Sequence, residues 1–438
     1  MNLILAADAA KVLNRELIDD QVESAQFYLR AKEDCYFFGL NGFLNEYLSK
    51  PITYSDLDEA KTVLSARGQR SESIVRGWET IIRECDGYLP LSIRAVEEGS
   101  FVKGGEVLLT VECYRKDMIW LLYHIDSLIL KSIWYPTTML TKMLGIREVL
   151  DDWSNITGGQ EPKIVYDITG RACPGNSCET AAASVKLAFP DFDSLSADLY
   201  LNRNYLKSIA FSPERYLLEH NIITTWEDEK DYFKYLNKVP NNSEIVCLID
   251  TYNLWSCFSL LVCDEIKQLA AEKNLTLFIC PDSSESFTET LDVVGQMIEK
   301  YGEMNDDGYK VLPPQYRVVQ MGVTQDMVGR LSVRARKMGY GIDNFAFGFE
   351  DSVLQSGMSR NTLGFEFKLC AVRKDGFWFG KGKDPVHKPH QRTLNGLQFM
   401  TNEKTKFLNG NLIDQNSYIS VIKNLSESGL RSFTLTTL

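Results

Sequence analysis

At 438 residues, with 44% hydrophobic, 11% aromatic and 24% charged side chains, the chain has the composition of one that buries a sizeable core, which excludes disorder, collagen-like repeats and low complexity. Lys+Arg of 47 against Asp+Glu of 59 gives a net charge of −12, which repels a phosphate backbone and argues against nucleic acid, although a local basic pocket for a small phosphorylated ligand remains open. Ten cysteines with no C-x-x-C pair, beside four histidines, argue against a disulfide framework and a zinc site; reduced, mostly buried thiols in a cytoplasmic setting are expected.

In chain order, the opening Met1-Asn2-Leu3-Ile4-Leu5-Ala6-Ala7-Asp8 lacks a basic leader region and meets an acid too early for an export signal. A run from about Tyr36 to Leu48 has apolar residues at helical spacing. From Leu89 to Glu112 apolar and polar residues alternate about Gly104-Gly105, which predicts paired antiparallel strands. The most apolar stretch, Ile119 to Tyr135, carries His124, Asp126 and Lys131, so no window offers the ~18 uncharged apolar residues of a membrane span.

A different unit then repeats. Ile164 to Asp167, Ile245 to Asp250, Leu275 to Asp282, Tyr316 to Gly322 and Phe345 to Gly348 are short apolar or β-branched runs. Most lead through a polar loop into a helix-period stretch such as Glu289 to Lys300 or Met327 to Met338, the rhythm of a parallel α/β body. Soft boundaries near 160 and 380 divide the chain into segments 1–160, 161–379 and 380–438. Three of the runs end in a carboxylate: Asp167, Asp250 and Asp282. In parallel α/β sheets ligands bind at those carboxyl ends, so the repeated acids point to one shared site; the plain alternative is that each caps the next helix.

Several strings go beyond pattern. Trp78-Glu79-Thr80-Ile81-Ile82, Asp86-Gly87-Tyr88-Leu89-Pro90, Leu109-Thr110-Val111-Glu112, Trp134-Tyr135-Pro136, Glu219-His220 with Ile223-Thr224-Thr225-Trp226, Pro281-Asp282-Ser283, Leu312-Pro313-Pro314 and Ala346-Phe347-Gly348 occur together in this order. In them the chain resembles the nicotinamide phosphoribosyltransferase family from about Leu3 to past Asp384-Pro385. The resemblance implies an incomplete α/β barrel of the type II phosphoribosyltransferase kind, with a smaller α+β domain built from both chain ends, in a homodimer. It implies transfer of a ribosyl group from a pyrophosphate donor to nicotinamide, giving NMN where the donor is phosphoribosyl pyrophosphate, with Mg²⁺ on the donor pyrophosphate, no protein ligand assigned to it, and ATP as a further cofactor.

Residue by residue, the resemblance assigns Asp193 to the carboxamide of the base, Arg171 to the base and phosphates, and Asp250 and Asp282 to the donor. Arg360 and Lys368 match basic residues of the phosphate region, and His220 matches a histidine phosphorylated by ATP. Without the family, His220 reads as a hydrogen-bonded structural residue, Arg360 and Lys368 as surface charges and Asp193 as a turn residue.

The departures carry as much. Asp8-Ala9-Ala10-Lys11 and Ile168 stand where the family sandwiches the base between aromatic rings; Tyr166, Tyr252 and Phe349 are the other candidates for an aromatic face. Cys280 replaces an arginine, and Met321-Gly322 shortens a Gly-Asp-Gly turn with loss of an acid. The loop that cradles the donor 5′-phosphate reads Phe349-Glu350-Asp351-Ser352. Carboxylates a few ångströms from a phosphate dianion oppose it by several kcal/mol at a protein-like dielectric. Two readings follow: a donor extended at its 5′ end, such as ADP-ribose pyrophosphate, which would give NAD directly, or a catalytically inactive homologue that binds or scaffolds.

Overall fold

The computed structural model describes residues 2–68, 71–160, 162–167, 169–175, 177–205, 215–282 and 287–428. The chain divides into two compact units.

One unit comprises Met139–Leu199 and Ile209–Ser356. It holds six strands: β1 (Ile164–Tyr166), β2 (Arg215–Leu218), β3 (Glu244–Leu248), β4 (Thr276–Cys280), β5 (Tyr316–Gln320) and β6 (Phe345–Gly348). Every pairing among them is parallel, in the order β1-β6-β5-β4-β3-β2. β3, β4 and β6 read as near-continuous apolar runs because helices cover parallel strands and both faces are buried. The helices Phe287–Tyr301 and Gln325–Lys337 fall on the two helix-period stretches; Thr324 caps the second by accepting from the Met327 N–H.

β1 and β2 are consecutive in the chain yet lie at opposite ends of the hydrogen-bonded order, so the barrel is incomplete. A side chain spans the opening. Arg215, the first residue of β2, donates through Nη1 to the carbonyl of Ile164 at 3.2 Å and through Nε to Glu244 on β3 at 2.9 Å. β2 has no counterpart among the runs read from the sequence: Arg-Tyr-Leu-Leu is a short edge strand that buries only its last residue.

The other unit comprises Met1–Thr138, Tyr200–Ser208 and Gly357–Leu438. Its seven-stranded antiparallel sheet takes strands from both ends of the chain, in the order Phe377–Gly380, Glu366–Lys374, Ser24–Arg30, Val107–Cys113, Ser92–Ala95, Lys404–Leu408 and Asn411–Leu412. The alternating run after Leu89 forms the antiparallel pair Ser92–Ala95 and Val107–Cys113. The stretch expected as one helix from Tyr36 to Leu48 is instead a two-residue strand, a turn at Gly39, the helix Leu40–Phe43 and a π-helical turn over Leu44–Leu48. Gly39 explains the break: its φ is +105°, and a Cβ there would come 2.6 Å from the Pro136 ring. The cysteines are free and mostly buried, and among the described residues no helix is long and apolar enough to cross a membrane.

Candidate functional site

The carboxyl ends of the parallel strands gather the polar side chains that the fold leaves unused for packing. β2 runs out at Leu218, and Glu219 opens a single helical turn, His220–Ile223, that presents the imidazole. β3 ends at Leu248, and after Ile249 come Asp250 and Thr251. β4 ends at Cys280, which Pro281 holds extended, and Asp282 follows at a turn.

These side chains meet. His220 Nδ1 lies 2.9 Å from the Thr251 hydroxyl, which fixes the ring and leaves Nε2 toward the carboxylates. Nε2 is 3.9 Å from Asp250 Oδ1 and 3.6 Å from Asp282 Oδ2. Burial, then the neighbouring Asp250, push the Asp282 carboxyl up; His220 and Arg171 pull it back. Arg171, on the helical turn Thr169–Ala172 after β1, is exposed and acts on Asp282 and Glu350 alike. The third strand-exit acid does not join this group. Asp167 accepts from the Thr169 N–H at 2.9 Å and the Thr169 hydroxyl at 2.6 Å, a local turn of the plain kind.

β6 contributes the acidic loop. Glu350 precedes the short helix Asp351–Leu354 without capping it, and its carboxylate lies over the turn after β5. A Cβ on Gly322 would sit 3.0 Å from Glu350 Oε2, and Gly322 has φ +65°, so the residue is suited both to the turn and to the approach of the acid. Burial, then Asp282 and Asp351, raise the Glu350 carboxyl, with Arg171 opposing. The two acids of the loop therefore differ: Glu350 faces Asp282, whereas Asp351 is exposed. Ser352 follows within the helix.

Cys280 is fully buried, and burial followed by Asp282, Asp250, Cys247 and Glu350 drives its thiol well above the usual range. A neutral thiol thus stands against carboxylates. Asp193, half-buried after Phe192, has other neighbours: burial raises it, and Arg215 and Lys186 offset part of the rise. Ile168 and Ser283 lie outside the described residues. Arg360 and Lys368 belong to the antiparallel unit. There Arg360 closes its own loop onto the Phe365 carbonyl at 2.9 Å, and Lys368 is exposed on the strand Glu366–Lys374. Lys11, in the segment lacking the expected ring, is ion-paired with Asp126 at 2.6 Å. Among the described residues no three His, Cys, Asp or Glu side chains are grouped to hold a metal ion.

The arrangement thus offers a nucleophilic or hydrogen-bonding imidazole, two carboxylates able to face a developing positive charge, and one guanidinium for an anionic ligand. Residues 2–93 match the family described as nicotinamide phosphoribosyltransferase, N-terminal domain. A nicotinamide phosphoribosyltransferase of Xanthomonas campestris is 29% identical over 435 residues, covering 94% of this chain and 91% of its own. Over nearly its whole length the chain is thus similar to a nicotinamide phosphoribosyltransferase. A Mycoplasma pneumoniae relative of the same name is 24% identical over 70% of this chain and 71% of its own. The fold is also that of two solved structures. Human nicotinic acid phosphoribosyltransferase has a TM-score of 0.57 at 14% identity, covering 97% of this chain and 93% of that one. The nicotinate-nucleotide pyrophosphorylase of Pyrococcus furiosus has a TM-score of 0.56 at 12% identity, covering 97% and 95%.

The sequence marks Glu350 and carries no signal for Arg215. Glu350 stood out as an acid in a loop that the family fills with glycine, but its direction, toward Gly322 and Asp282, depends on how β5 and β6 pair.

Proposed function

We propose that this protein is a member of the nicotinamide phosphoribosyltransferase family, a transferase that joins nicotinamide to a ribosyl pyrophosphate donor in a step of NAD biosynthesis or salvage. The observation that carries the reading is the meeting of His220, Asp250 and Asp282 at the ends of β2, β3 and β4, with Arg171 acting on Asp282 from the β1 side. The ring nitrogen of nicotinamide forms a bond to the anomeric carbon while the bond to pyrophosphate breaks and its electron pair leaves with the pyrophosphate. Asp250 and Asp282 oppose the positive charge that grows on the sugar, and Asp193 accepts from the carboxamide NH₂, which an ionised nicotinate could not offer. Mg²⁺ would enter on the donor pyrophosphate, with no protein ligand assigned to it, and would supply charge neutralisation for the leaving group. We propose a cytoplasmic location and a homodimer.

In the same reading ATP transfers its terminal phosphoryl group to His220: a P–N bond forms, and the P–O bond to ADP breaks. Incubation with γ-labelled ATP should leave an acid-labile label on the wild type and none on His220→Ala. Transfer that proceeds normally without any label would remove the ATP step while sparing the transferase.

The finer proposal concerns the donor. Glu350, turned toward the site, disfavours a terminal 5′-phosphate dianion and tolerates an internal pyrophosphate, so the donor is ADP-ribose pyrophosphate and the product NAD. Glu350→Gly should raise turnover of phosphoribosyl pyrophosphate at least about tenfold, or about 1.4 kcal/mol, and leave the ADP-ribosyl donor level or lower. Asp351→Gly, at the exposed neighbour, should change little. Mass spectrometry of products with each donor reads the outcome. The buried Cys280 supports a second reading, an inactive binding homologue; wild type and Glu350→Gly both inert on both donors would establish it.

A further inference from the structure

The loop after β3 does more than supply Asp250. Its polar groups are pinned one after another. The Thr251 hydroxyl holds His220 at 2.9 Å. The Tyr252 N–H is bonded to the buried Glu229 carboxylate, and Asn253 caps the helix Leu254–Leu261 by accepting from the Ser256 N–H at 2.9 Å. Within this fixed loop the Tyr252 ring is 65% exposed. An exposed ring on a loop held in place offers a preoriented flat face.

The other aromatic side chain described in the loops that follow the six strands is not available. Phe349, after β6, is buried at 2% exposure and packs on Phe189 with ring centroids 5.7 Å apart. Tyr252 is therefore the ring with an open face, and it lies two residues beyond Asp250, at most about 7 Å of backbone from it. Asp193 and Arg171, the residues proposed for nicotinamide, follow β1 instead, two strand positions away in chain order. A ligand whose sugar lies at Asp250 would have the loop that carries Tyr252 next to it in the chain. An uncharged heteroaromatic ring suits that place, since an exposed aromatic face stacks on any flat base without needing a charge.

We infer that Tyr252 is a stacking face for the adenine of a nucleotide whose sugar and phosphates are held at His220, Asp250 and Asp282. The inference rests on the proposed transferase site and adds to it a subsite for the far end of the ligand. Adenine reaches it on either of two molecules, the ADP-ribosyl donor or ATP.

Binding tests it without turnover. Calorimetric titration of the full chain with ADP-ribose, with ATP and with ribose 5-phosphate should be compared for wild type, Tyr252→Ala and Tyr252→Phe. Tyr252→Ala should weaken an adenine ligand at least about tenfold, leave ribose 5-phosphate unchanged, and be rescued by Tyr252→Phe, which keeps the ring. A loss confined to ADP-ribose assigns the face to the donor, a loss confined to ATP assigns it to the cosubstrate, and a loss with both shows that the ring reads adenine alone. Equal weakening of ribose 5-phosphate, no weakening of either adenine ligand, or a wild type that binds neither would overturn the inference. Adenine binding that depends on Tyr252 in a protein with no transferase activity would leave it standing while the transferase reading fell.

Discussion

Replacing Asp282 by Asn is expected to lower kcat/KM for ribosyl transfer about a hundredfold or more while leaving the fold intact. The carboxylate stands 3.6 Å from His220 Nε2 in a partly buried position beside Asp250, where its charge is poorly screened. As pyrophosphate departs, positive charge grows on the sugar, and a neutral amide of the same shape cannot answer it. Loss of one preoriented electrostatic group of this kind costs about 10²- to 10³-fold. The fold should survive because the substitution also removes the repulsion between Asp282 and Asp250, so the urea midpoint stays level or rises. The pH profile supplies a second reading. Burial and Asp250 raise the Asp282 carboxyl, and the ionised form is the active one, so wild-type activity should fall as pH drops through a value above the ordinary carboxylate range. In Asp282→Asn the residual activity should lose that limb. Pyrophosphate release measured across pH decides the matter; a variant within threefold of wild type would take Asp282 out of the chemistry.

What the sequence makes legible here follows from how each feature is encoded. The buried strands β3, β4 and β6 are nearly continuous apolar runs, which only a core can accept, and they stand out in a chain rich in polar loops. β2 does not, because an edge strand that buries only its last residue carries no such run. The three strand-exit acids look alike as letters. Their difference is conformational: Asp167 folds back onto Thr169, while Asp250 and Asp282 reach the His220 ring presented by a different strand. Likewise Glu350 and Asp351 are adjacent acids, and only the backbone at the start of the helix Asp351–Leu354 turns one inward and leaves the other outside.

The pairing of Glu350 with Gly322 gives the altered loop a physical logic. The acid of the loop after β6 lies over the turn after β5, with its Oε2 3.0 Å from where a side chain on Gly322 would begin. β5 and β6 are hydrogen-bonded neighbours, so the two loops are local to each other. A carboxylate facing Asp282 is thereby supplied from another strand.

The largest pH effect on folding should come from the antiparallel unit. Glu98 is completely buried; its carboxylate accepts the N–H groups of Gly39 at 2.5 Å and Leu40 at 2.8 Å, and the Tyr205 hydroxyl at 3.1 Å. Those donors favour the ionised form, but burial outweighs them and pushes the carboxyl up to about 7. A carboxyl whose proton is held more tightly in the folded chain than in the unfolded one stabilises the fold at acid pH. Between about 4.5, its ordinary value, and about 7 the folded state binds more protons, so stability falls as pH rises through that window and is flat on either side. The change is on the order of 3 kcal/mol, at about 1.4 kcal/mol per pH unit. Glu98→Gln isolates it, since the amide oxygen can still accept from Gly39 and Leu40 but nothing titrates. Urea unfolding of both proteins should show wild type gaining on the variant by about that amount from pH 7.5 to pH 4.5. Other carboxyls raised by burial, among them Asp282 and Glu350, act in the same direction in both proteins and cancel in the difference. A difference that stays constant with pH would mean that Glu98 is ionised throughout, its charge carried by the turn at Gly39 and the start of the helix Leu40–Phe43.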